Sequence, residues 1–72
     1  MYFNLRLARL KSKESQEEMA RLLGINVNTY SAKERGEQDF GLLQAKKLAD
    51  HFGMTIDHLF FAQQVHENGT SN

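Results

Sequence analysis

Val27, Asn28, Ser31 and Ala32 are spaced to share one helix face, and they are the side chains best suited to recognising another molecule. The Asn28 amide carries a donor and an acceptor side by side. That pair matches the N7 and N6 edge of adenine and is worth ~1–3 kcal/mol of discrimination between bases. Val27 and Ala32 have no polar group, so they could only meet a thymine methyl or permit a close approach. Thr29, Lys33 and Arg35 flank this face with a hydroxyl and two cations, groups that hold phosphate without reading sequence. This is the chemistry of binding. No nucleophile with its base, no carboxylate pair in a cleft and no glycine-rich phosphate loop can be assembled from the sequence. The three histidines, His51, His58 and His66, come without a third or fourth ligand at metal spacing. The expectation is no enzyme, no cofactor and no metal.

Two short helices must position that face. Ser15 followed by Glu18 is a capping box, so a helix should begin at Gln16, with Met19, Ala20 and Leu23 as its buried stripe. Gly24 stops it in a left-handed conformation, Ile25 drops inward, and Asn26 can cap a second helix from Val27 to about Arg35, ending at Gly36. Two helices joined by a short turn containing glycine form the DNA-reading helix-turn-helix, whose second helix presents its N-terminal residues to the major groove.

The remaining elements read as helices too. Asn4 is a candidate cap for a first helix to about Ser12, with Leu5 and Ala8 inward and Leu7 and Leu10 adding apolar surface beside them. Residues 37–41 form a loop with Phe40 turned inward. A further helix from Leu42 to His51 presents Leu42, Ala45, Leu48 and Ala49, with Lys46 and Lys47 as solvated surface. Thr55 caps a last short helix carrying Ile56, Leu59 and Phe60. The expected architecture is all-α, a compact bundle of five short helices over residues 1–61, with a polar, flexible tail over 62–72.

Bulk properties set the limits. Seventy-two residues make one small domain, which hides only about 60% of its unfolded surface. Cysteine is absent, so stability must come from helix packing. No apolar run approaches the ~20 residues a membrane span needs, and the start lacks a secretory pattern, so a cytoplasmic location is expected. Formal net charge is zero, yet residues 1–36 carry seven Lys/Arg against four acids, and residues 37–72 carry two against five. The positive half contains the candidate reading helix.

With these elements placed, the chain resembles the phage repressor and Cro type of helix-turn-helix domain, the XRE family, which is lambda-repressor-like in fold. The matching segments are Leu5-Arg6 and Arg9, Ser15 to Ala20, Gly24-Ile25, Thr29-Tyr30, Glu34-Arg35-Gly36 and Thr55 to Phe60. The resemblance spans about Asn4 to Phe60. It implies that Gln16, at a helix N-terminus where backbone N–H groups favour an anion, docks on a DNA phosphate. It also implies that Arg9 and Glu34 form a partly buried ion pair. Three positions depart from the family pattern. Lys13 and Glu14 stand where a glycine and a large apolar residue are usual, which implies a more open link between the first two helices. Lys33 replaces an apolar residue, and its stem can lie on the core while its ammonium reaches outward.

The function expected is sequence-specific binding of a double-stranded DNA operator by a transcription regulator acting as a repressor, without a small-molecule ligand domain. Leu7, Leu10 and Phe61 are candidates for a homodimer surface, which would set two reading helices ~34 Å apart. The alternative is a protein-interaction module on the same fold, antitoxin-like or an adaptor subunit. Zero net charge and the acidic run Glu37-Gln38-Asp39 favour that alternative, and the polar face around Asn28 favours DNA.

Overall fold

Local hydrogen bonds set the helix boundaries. The Ser15 hydroxyl accepts from the Glu18 N–H at 3.1 Å, and the Glu18 carboxylate accepts from the Ser15 N–H at 2.7 Å, closing the capping box. Asn26 accepts from the Thr29 N–H at 2.9 Å and Thr55 from the His58 N–H at 3.0 Å. In a computed structural model, which describes residues 1–61, these caps open three of five helices. The helices are α1 (Phe3–Lys11), α2 (Gln16–Leu23), α3 (Val27–Glu34), α4 (Leu42–Phe52) and α5 (Ile56–Phe60), and no strand occurs among the described residues. The tail expected over 62–72, with His66, lies outside the described residues.

α2 packs on α3, α1 on α5, and α4 against both α2 and α5. Leu5, Met19, Tyr30, Leu48 and Leu59 are fully enclosed, so every helix sends one large side chain to the centre. A second cluster, of aromatic rings, ties the start of the chain to the loop after α3. Tyr2 meets Phe60 edge-on at 5.2 Å between centroids, and Phe40 lies 5.5 Å from Phe60, 5.7 Å from Tyr2 and 5.9 Å from Tyr30.

Three expectations need correction. Asn4 does not cap α1. The helix starts two residues earlier, behind Tyr2, whose N–H donates to the Glu34 carbonyl at 3.0 Å. Asn4 instead donates its amide to the His58 carbonyl at 2.9 Å, tying α1 to α5. Leu42 is not core but 77% exposed. It opens α4 beyond the packed layer and stands at the rim of a groove of about 310 Å³ that Tyr2, Phe40, Ile56 and Phe61 also line. The link between α1 and α2 is closed rather than open. Lys13 adopts the left-handed φ of 58° that a glycine would take without strain. Glu14 then reaches His51 on α4 at 2.8 Å, and its carbonyl accepts from Arg9 at 3.1 Å.

Two glycines allow a direct comparison. Gly24 (φ +72°) has open space around a notional Cβ, whereas Gly36 (φ +86°) would bring one within 3.1 Å of the Met1 backbone nitrogen. Gly24→Ala should therefore cost only the left-handed strain, about 1–2 kcal/mol. Gly36→Ala should cost distinctly more in urea denaturation, because the collision falls on backbone. Equal losses would show that the start of the chain yields freely.

Candidate nucleic-acid interface

α3 is held in place by one buried carboxylate. Glu34, 3% exposed, accepts from Arg9 Nε at 2.9 Å, Arg9 Nη2 at 3.1 Å, Gln16 Nε2 at 2.9 Å and the Tyr30 hydroxyl at 2.9 Å. One side chain thus joins α1, α2 and α3. Burial by itself would raise the Glu34 pKa. The hydrogen bonds from Arg9, Gln16 and Tyr30, with the charge of Arg9, outweigh it and hold the carboxyl below its ordinary range. Tyr30 shifts far upward, first through burial and then through the adjacent Glu34 charge and hydrogen bond. The Glu34 hydrogen bond raises Arg9 further still. No buried side-chain N or O lacks a partner among the described residues. The network is complete, so α3 has a fixed orientation.

That network also claims Gln16. Its amide nitrogen is turned onto Glu34, and the first turn of α2 carries Glu17 and Glu18. The backbone N–H groups at this end are therefore what remains for an anion, with two carboxylates beside them. Tyr30 as a ligand of Glu34 is not anticipated from the sequence, although its spacing four residues before Glu34 is the available signal. The Glu14–His51 contact has no sequence signal, since 37 positions separate its members.

On α3, Asn28 is exposed and its amide makes no hydrogen bond to any described residue. Ser31 and Thr29 are half-buried at the edges of its face. Val27 and Ala32 do not lie outward as expected. Val27, three residues before Tyr30, shares that residue's side of the helix and packs against the core. Ala32 is buried where the chain turns back after α3, its carbonyl accepting from the Glu37 N–H at 2.9 Å. The surface available for reading bases narrows to Asn28 with its hydroxyl neighbours.

The cations of α3 are engaged by the following loop. Lys33 holds its Nζ over the Phe40 ring, 5.9 Å from the centroid, and donates to the Asp39 carbonyl at 2.7 Å. Arg35 grips the Glu37 carboxylate at 2.9 and 3.1 Å and donates to the Ser31 hydroxyl at 2.6 Å. The Arg35–Glu37 pair is exposed and screened by water, so it can be exchanged for phosphate at little cost. The dimer candidates do not form one surface. Leu7 borders a groove with Ala8, Met54 and His58, and Phe61 borders the separate groove with Leu42. Among the described residues, no three or more His, Cys, Asp or Glu side chains converge as a metal site. No helix there is long and apolar enough to cross a membrane.

A capped helix, a left-handed glycine turn and a second helix with an exposed amide on a braced frame define a helix-turn-helix module. The chain belongs to the helix-turn-helix family of the Cro/XRE type, whose model matches residues 5–59. This is a family of DNA-binding transcription regulators. A comparison with curated proteins finds no match to this chain.

Proposed function

We propose that the protein is a cytoplasmic repressor that occupies a duplex operator, with α3 in the major groove and Asn28 reading an adenine. The observation that carries this reading is the exposed Asn28 amide, without a partner among the described residues, on a helix fixed by the Glu34 network. Thr29, Lys33, Arg35 and the start of α2 at Gln16 supply phosphate contacts around it. Occupation as a homodimer fits the groove bordered by Leu42 and Phe61, because a twofold pairing needs a knob and a hole on one face. Leu7 and Leu10 leave that proposal, since Leu7 borders the other groove and Leu10 lines neither.

Selection from random duplexes tests the reading, and it should return a defined site whose affinity falls steeply with salt. Asn28→Ala should then lose ~1–3 kcal/mol of preference at one adenine-containing position. Lys33→Ala should weaken all duplexes alike and lower the salt slope by about one. Two unaffected variants would rule out α3 as the reader. A second reading, a protein-interaction module with little DNA affinity, is favoured by one feature: Glu37 and the Asp39 carbonyl already occupy Arg35 and Lys33. Selection that returns no site would establish it.

A further inference from the structure

The outward face of α1 takes no part in the fold or in the proposed DNA contact. Its buried side is made by Leu5 and Arg9, with Ala8 packed against the core. Opposite, Phe3, Leu7 and Leu10 are 51%, 38% and 51% exposed. Their spacing of four and then three residues is the heptad spacing of a helix seam, so they form a continuous apolar stripe. Beside it, Leu7, Ala8, Lys11, Met54 and His58 line a groove of about 170 Å³, large enough to take an aliphatic side chain. Such a stripe on a small domain marks an association surface.

Charge selects the occupant. At 3.6 residues per turn, Arg6 falls about 40° to one side of the stripe and Lys11 about 40° to the other. Both are exposed, and α1 contains no acidic residue. A second copy docking α1 against α1 would oppose these cations to their own kind, which disfavours self-pairing. Two turns with three apolar side chains are also a small footprint for a lipid surface. We infer that this face of α1 docks an acidic amphipathic helix from a protein partner, one aliphatic side chain entering the groove and carboxylates meeting Arg6 and Lys11. The inference does not depend on DNA binding.

The test is a titration of the isotope-labelled protein, followed by backbone amide shifts. The probe is a helical peptide three heptads long, with leucine at the seam and glutamate on both flanks. Its twin carries lysine at every flanking position. The acidic peptide should saturate and move the amides of α1 and the start of α5, while the basic twin binds at least about tenfold more weakly. Leu7→Ser, at an exposed position, should weaken the acidic peptide about tenfold with the fold intact. Arg6→Glu with Lys11→Glu should invert the preference between the twins. Equal binding of both twins, indifference to Leu7→Ser, tighter binding to phosphatidylglycerol vesicles, or self-association through α1 would each overturn the inference. Because no duplex is present, the outcome is independent of whether α3 reads DNA.

Discussion

Glu34→Ala should cost ~3–5 kcal/mol and leave much of the population unfolded at room temperature, because the change strands a buried guanidinium. Arg9 and Glu34 side chains are only 9% and 4% exposed, so water cannot take over the lost bonds. The Tyr30 hydroxyl and the Gln16 amide lose their acceptor in the same change. A small domain sits at the low end of the ~5–15 kcal/mol typical of folded proteins, so a loss of this size is close to the whole. The double variant Arg9→Met with Glu34→Leu removes both charges and should recover a large part of the loss. The measurement is a double-mutant cycle in urea, and a coupling near zero would show that the pair contributes nothing beyond its separate members. DNA affinity lost in Glu34→Ala reports unfolding, not a missing contact. The acid side follows from the same network. Its stability is present above the ordinary carboxylate range and is lost as pH falls through the depressed Glu34 value.

The sequence discloses what is local and hides what crosses the fold. Ser15, Asn26 and Thr55 announce their helices because a cap is a bond between residues three apart, and Gly24 and Gly53 close helices for an equally local reason. Asn4 has the right type for a cap, but the bond from the Tyr2 N–H to Glu34 and the aromatic seat of Tyr2 start the helix earlier. Leu42 has the right period for the core, yet period fixes direction around a helix and not depth along it. The candidate site divides in the same way. Asn28 is exposed by its angle alone, while burial of Ala32 depends on the loop folding back from Glu37. Gln16 has a side chain suited to phosphate, and only the fold brings Glu34 within 2.9 Å of it.

Above about pH 10 the domain should lose stability by about 1.4 kcal/mol per pH unit, with Tyr30 as the cause. In the unfolded chain this phenol ionises near its ordinary value. In the fold it is buried against the Glu34 carboxylate and keeps its proton, so the native state binds more protons than the unfolded one over that range. The sign is fixed by that difference. Stability is fully present below the ordinary tyrosine value and drains away as pH rises beyond it. Tyr2 serves as the internal comparison. Burial first, then the charge of Asp39 and a long 3.4 Å bond to it, also raise its pKa, but Tyr2 is only half-buried. Tyr30→Phe removes one donor to an ionised acceptor and should cost about 1.5–3 kcal/mol at neutral pH. Its alkaline limb should be shallower, with the Tyr2 contribution remaining, so the two stability curves approach each other as pH rises. Tyr2→Phe should leave the steep limb in place. Tyrosinate absorbance and helical circular dichroism, followed together, check the assignment. The Tyr30 signal should appear only as helicity is lost, and its ionisation near the ordinary value with the helices intact would mean that the hydroxyl does not serve the carboxylate.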